Sequence, residues 1–178
     1  MEDKTITMPV IALRGMTVLP KMMIHFDISR SKSIAAVEKA MIGDQRVCLV
    51  TQKNSEEADP GVDELHSVGC VALIKQLVKI PNNVVRVMVE GQERVELLGL
   101  DSEEPMLVGE IGTLTESEDS LDYVTRQAMV RILKEKLEEY GKENPRRLKE
   151  VFPNLMMITD LGELLDQIAS QLTWDYKN

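Results

Sequence analysis

An α+β fold is predicted for this 178-residue chain: a small, mostly antiparallel β-barrel or folded sheet with one short helix, followed by a helical subdomain. Three observations predict it. From Thr5 to Leu114, short runs rich in Val, Ile and Leu follow one another, separated by Gly, Pro and Asn. Only one segment among them, behind Ser31 and Ser33, has apolar residues at three- and four-residue steps. Past the acidic stretch Glu116 to Asp119 the period becomes helical, so residues 1–116 are expected to form the β part and 117–178 the helical part.

The elements follow in order. Thr5 to Leu13 predicts a strand, with Pro9 marking an edge or a bulge because proline cannot donate to a ladder. Gly15 breaks it, Val18-Leu19-Pro20 bends the chain, and Lys21 to Ile28 is extended again. Ser31 or Ser33 would cap a short helix carrying Ile34, Val37 and Met41 and ending near Gly43. Arg46 to Gln52 is a buried strand. Lys53 to Glu64 is a polar loop turned by Asp59-Pro60-Gly61. Gly69 to Lys79 and Val84 to Glu90 form a hairpin across Pro81-Asn82-Asn83. On its second arm Val85, Val87 and Val89 share one face, and Arg86, Met88 and Glu90 the other. Gly91 allows a bulge or turn before another strand, Glu93 to Leu100, and Met106 to Leu114 is the last.

In the helical part Leu121, Val124, Ala128 and Ile132 make a stripe that drifts into Leu133, Leu137 and Tyr140, with Gly141 as its stop. Asn144-Pro145 opens a short helix that runs to Val151 and meets Pro153. Asp160 and Glu163 have capping-box spacing ahead of a last amphipathic helix, Leu161 to Leu172. The chain closes on Trp174-Asp175-Tyr176-Lys177-Asn178 without a capping glycine, which predicts a piece of a longer protein.

Composition excludes several functions. Apolar residues make up 43% of the chain, enough for a core. With 21 basic and 30 acidic residues the net charge is −9, which opposes nucleic-acid phosphates. Arg146, Arg147 and Lys149 are the one basic cluster and suit a solvated helix face. No apolar run approaches the ~20 residues that cross a bilayer. Cys48 and Cys70 lie singly in apolar strands and are expected in the core. His25 and His66 lack ligand-spaced partners, so no metal is expected. A reducing, cytoplasmic setting is the default. No phosphate-cradling glycine loop and no GxSxG elbow occurs. The acidic pairs Glu56-Glu57, Glu103-Glu104 and Glu116/Glu118 fall in polar loops, where solvated carboxylates make poor general acids. Hydrolysis by this chain alone is therefore not expected.

Methionine is in surplus, with 11 in the chain, while aromatic residues are 3%. Most, Met41 and Met129 included, are expected in the core. Met22, Met23 and Ile24 just past Pro20, Ile80 at the hairpin tip, and Met88 between Arg86 and Glu90 stand apart. They are the candidate binding residues, because flexible, polarisable side chains on a surface adapt to many partners. Either this face grips unfolded chains or the helical subdomain covers it.

A family resemblance rests on Pro9-Val-Ile-Ala-Leu-Arg14 with Val18-Leu19-Pro20, then Ser31-Lys32-Ser33-Ile34, Leu49-Val-Thr-Gln-Lys53 and Asp59-Pro60-Gly61. It continues through Val68-Gly-Cys-Val-Ala72, Ile80-Pro81 and Val84-Val-Arg-Val-Met-Val-Glu-Gly-Gln-Glu-Arg94. In this order and spacing the segments resemble the N-terminal domain of the ATP-dependent Lon proteases. The chain departs from the family where Ser29-Arg30-Ser31 lacks a glycine before the helix and where Ala35 replaces a frequent basic residue. The resemblance implies a PUA-like β-barrel followed by a helical bundle that recognises unfolded or degron-bearing proteins and helps arrange a hexamer with neighbouring subunits. It also implies a bacterial source. ATP, Mg, the AAA+ module and the Ser-Lys dyad would belong to the parent enzyme beyond Asn178, so no cofactor and no catalytic residue is expected here. The second reading is a stand-alone LON-domain adaptor that binds a partner protein or a small ligand. RNA binding would rest on the barrel alone, and a fold does not carry a function.

Overall fold

The computed structural model describes residues 5–114, 121–143 and 151–171. The Arg146, Arg147 and Lys149 cluster, the helix expected to open at Asn144-Pro145, the Glu116–Asp119 junction and the C-terminal Trp174–Asn178 segment lie outside these residues. The chain divides into two compact units, Met1–Thr115 and Glu116–Asn178.

The first unit contains strands β1 (Ile6–Leu13) and β2 (Met23–Ile28), helix α1 (Ser31–Ile42), and strands β3 (Arg46–Gln52), β4 (Leu65–Ile80), β5 (Val84–Ser102) and β6 (Val108–Thr113). The sheet order is β2-β5-β4-β3-β1-β6, and β5 also pairs with β6. Those pairings close a ring through β1, β3, β4, β5 and β6, with β2 attached to the first half of β5. Among the described residues only β1–β3 is parallel, over Val10↔Cys48 to Leu13↔Thr51. The expected edge position of Pro9 is corrected: β1 lies inside the sheet. Proline is tolerated there because residues 6–9 pair with β6 and residues 10–13 pair with β3, so it sits at the hand-over.

Two cores fill this unit, and the pleat assigns residues to them. Met8, Val10 and Ala12 of β1 enter one core, while Ile11 and Leu13 enter the other. β3 divides likewise, with Cys48 and Val50 against Val47 and Leu49. These strands are buried on both faces, which is why they are continuously apolar. Helix α1 covers the second core with Ala36, Val37 and Ala40.

On β5, Val85, Val87 and Val89 face the core under α1, yet Val95 and Leu97 face the other. Residues of one parity change sides because Gln92 is an extra residue: Val71 pairs with Glu93 but Ala72 with Gly91. Keeping Val95 and Leu97 out of water is worth about 4 kcal/mol, which maintains the bulge. The separate strand expected after Gly91 is thus corrected to one bent strand of 19 residues. The hairpin turn forms as expected, with Asn82 and Asn83 at φ 67° and 58°.

Three expectations in the helices are corrected. Neither Ser31 nor Ser33 caps α1; Arg30 holds that position without a side-chain cap bond, and Ser33 is buried in the first turn. In the second unit α2 spans Tyr123–Glu143 and continues through Gly141, since one glycine inside a helix costs only about 1 kcal/mol. α2 is capped instead at its start, where the Asp122 carboxylate accepts the Thr125 N–H at 2.6 Å. Its core residues are Val130 and Leu137, while Val124, Ile132 and Met129 are exposed, so the first half of the expected stripe lies on the wrong side. Met41 of α1 is exposed as well. Pro153 does not meet a helix end: it lies in the first turn of α3 (Phe152–Met157), where no N–H is missed. α4 (Leu161–Gln171) begins as expected, with Asp160 accepting the Glu163 N–H at 2.8 Å. Leu155, Leu164 and Ile168 join Val130 and Leu137 in a third core. Among the described residues no helix is long and apolar enough to cross a membrane.

Candidate functional site

Half of the sheet has an open face. Where β4 and β5 run beyond the closed ring, the face opposite α1 is no longer roofed by the other core. The register places three rows on it: Met23 across from Glu90; His25, Met88 and Gln76; and Asp27, Arg86 and Val78. Val84 and Ile80 complete it at the hairpin end. A shallow depression of 260 Å³ is lined by His25, Gln76, Val78, Arg86 and Met88.

The five residues singled out from the sequence divide between two faces and the turn before β2. Met23, 60% exposed, Met88 and Ile80 lie on the open face. Ile24 points the other way and packs against the core under α1, as strand alternation requires. Met22 sits in the turn before β2, half-buried, its carbonyl accepting the Gly91 N–H at 2.9 Å. The sequence reading missed Val78, which is 45% exposed, and His25. The signal lies in the alternation of β4 and β2.

Charge on this face is largely paired. Arg86 grips Asp27 with two bonds, Nε to Oδ1 at 2.7 Å and Nη2 to Oδ2 at 2.8 Å. The Arg86 hydrogen bond holds the Asp27 carboxyl below its usual range, and the same bond pushes the Arg86 pKa up. Lys75 meets Glu90 at 2.7 Å. The aliphatic and thioether groups between these pairs are left for contact with apolar partners, and neutralised charges lower the cost of covering the face. The Cys48 thiol is deeply buried, and burial pushes its pKa up to about 12. Among the described residues no three His, Cys, Asp or Glu side chains are grouped to hold a metal ion.

A second polar region lies at the start of α1. Arg30 donates to the Gln52 side-chain oxygen at 2.8 Å and to the Ala12 carbonyl. Buried Gln52 in turn donates to the carbonyls of Asn54 and Glu57 at 3.2 and 3.0 Å. Lys32 is bound by Asp59 at 2.8 Å and Glu104 at 3.1 Å beside a cavity of 340 Å³. Those bonds, the Asp59 one foremost, raise the Lys32 pKa.

Comparison with known proteins places the chain. The family described as the ATP-dependent protease La (LON) substrate-binding domain matches residues 7–178. Lon protease of Lachnoclostridium phytofermentans is 38% identical over 169 residues, covering 95% of this chain and 21% of that protein. Lon protease of Bacillus thuringiensis is 37% identical over 164 residues, covering 92% and 20%. The chain therefore spans about a fifth of the length of these relatives. The N-terminal domain of Mycobacterium avium complex Lon protease has a similar fold, with a TM-score of 0.69 at 20% identity, over 94% of this chain and 84% of that one. The Lon N-terminal domain protein of Xanthomonas campestris follows with 0.53 at 15%, over 94% and 99%. With a family match over nearly its whole length, the chain belongs to the Lon protease substrate-binding domain family.

Proposed function

We propose that this chain is the substrate-recognition and assembly part of an ATP-dependent Lon protease of the bacterial cytoplasm. Its β unit, residues 1–116, is a PUA-like barrel that holds unfolded or degron-bearing proteins by non-covalent contact. Its helical unit, residues 117–178, begins the link to an AAA+ module and takes part in arranging neighbouring subunits of a hexamer. ATP, Mg and a Ser-Lys dyad act elsewhere in the parent enzyme, and this chain cuts nothing. The observation that carries the reading is the open half-sheet, where Met23 of β2 and Val78, Ile80 and Met88 of the β4–β5 hairpin lie among paired charges. Methionine suits such a surface because three rotatable bonds let it fit chemically unrelated segments.

The test is a fluorescence titration with a labelled, permanently unfolded protein and with its native form. Binding of the unfolded form in the micromolar range, about −8 kcal/mol, and little binding of the native form are expected. Met88→Asp should weaken it about tenfold, the value of one buried side chain at the centre of a contact. Circular dichroism should be unchanged, because Met88 points away from the valine core. Equal affinity for both forms of the client would end this reading.

A further inference from the structure

Among the described residues, strand β2 has a neighbour on one side only, β5. Sheet edges are usually guarded by lysine, proline or a bulge. Met23-Ile-His-Phe-Asp-Ile28 has none of these, and its pairing with β5 is regular throughout. Its one charge, Asp27, is already neutralised by Arg86. An unguarded edge presents backbone N–H and C=O groups at the spacing of another strand, so an extended polypeptide is its natural complement.

A cavity of 180 Å³ lies at the end of this strand, on the face opposite Met88. Met16, Phe26 and Ile28 are among its apolar lining and Arg14, Arg30 and Ser33 among its polar lining; Asp27, whose carboxylate is held by Arg86, also borders it. The two arginines are held in place from behind. Arg14 donates to the Glu57 carbonyl at 3.1 Å, and Arg30 is fixed by Gln52 and the Ala12 carbonyl. Among the described residues neither has a carboxylate at ion-pair distance. Burial first, and then the charge of Arg14, push the Arg30 pKa down against a smaller upward pull from Asp59, so the like charges are close enough to repel. Ser33 is only 6% exposed and lines this cavity as well as the neighbouring one, and its hydroxyl has no hydrogen-bond partner among the described residues. No fully enclosed side-chain oxygen among the described residues lacks a partner, so this oxygen is open to cavity space. Arg30 also lines the neighbouring cavity, whose Lys32 is already bound by two carboxylates, whereas Arg14 lines the cavity beside β2.

We propose that β2 accepts an extended polypeptide as an added strand, and that this cavity takes a glutamate or aspartate side chain of that strand between Arg14 and Arg30, with the Ser33 hydroxyl as a further donor. This rests on the substrate-recognition reading and adds a chemical preference to it. Strand alternation supplies the pattern. One residue of the added strand lies beside His25 and the Met88 face, and the next lies beside Phe26 and the arginines. The preferred segment therefore alternates apolar and polar residues and carries an acid on the polar side.

The test uses the whole chain and a fluorescein-labelled peptide of about nine residues alternating valine and threonine, with one central threonine replaced by glutamate or by glutamine. Wild-type protein should bind the glutamate peptide about tenfold more tightly, as expected for charge-assisted bonds. Arg14→Gln should abolish that preference. Arg14 is exposed, so its replacement leaves the core intact, and Arg14→Lys should keep part of the preference. N-methylation of the peptide along the paired edge should remove binding. Equal affinity for the two peptides, or a preference unchanged in Arg14→Gln, would overturn the site. A preference that follows the free C-terminus, and vanishes on amidation, would overturn it too. The unfolded-protein titration on the same samples separates the two readings. If the unfolded client binds while glutamate and glutamine peptides are equal, only the carboxylate site falls; if neither client nor peptide binds, both fall.

Discussion

At Gly91 the chain passes so close to the preceding turn that a β-carbon would collide with the backbone carbonyl of Leu19. The glycine accepts and donates there at once, its carbonyl taking the Lys21 N–H at 2.8 Å and its N–H reaching Met22. A glycine in a strand signals a bulge or a close approach, and here it marks both. Cys48 shows the opposite relation between position and chemistry. Its thiol resembles a free nucleophile on paper, but burial raises its pKa from 9.0 to about 12. Iodoacetamide at about pH 8 should label it only in denaturant, and mass spectrometry of the native and unfolded chain checks this. The raised value also sets a stability window. The unfolded thiol ionises above 9.0 and the folded one only near 12, so this group's contribution is intact below 9.0 and is lost as pH rises across that interval. Both cysteines were legible as core residues because each sits in an apolar strand run. Ile24 was not placed correctly, since deciding which side of β2 faces the core required knowing its partner.

At the scale of elements, caps and turns carry most of what local sequence can say. Asp160 precedes α4 and binds the Glu163 N–H, as its spacing requires. Asp160→Ala should lower the stability of the helical unit by about 1 kcal/mol, read from a urea titration followed by far-ultraviolet dichroism. The Asn82-Asn83 turn was equally legible, because asparagine tolerates positive φ. Gly141 was misleading: it carries the residue type of a helix end, yet α2 runs past it. Contacts of Leu137 with the third core outweigh the cost of one interior glycine. The stripe on α2 failed for a related reason. Apolar residues occur on more than one side of that helix, and only the positions of α3 and α4 decide that Val130 and Leu137, not Val124 and Ile132, are covered.

At the scale of the molecule, the described residues form three cores that share no residue, two in the β unit and one in the helical unit. Leu164, with no exposed surface, anchors the third. Leu164→Ala should cost about 2–5 kcal/mol within that unit. Native-state hydrogen exchange should show faster exchange along α2 and α4 while the amides of β3 and β4 keep their protection. Loss of protection in both units together would mean that they unfold as one. The sequence by itself determined the local order of this protein: most of the strand succession, the hairpin turn, the alternation on Val85 to Glu90 and the change of period past Glu116 to Asp119. These depend on residues adjacent in the chain, whose sterics and polarity act at short range. Only the tertiary structure decided the closing of the ring, the single bent β5, the pairing of Asp27 with Arg86 and the approach of Arg14 to Arg30. Each of these joins residues separated by many positions, and their meeting depends on how the pleat, the bulge and the cores are satisfied together.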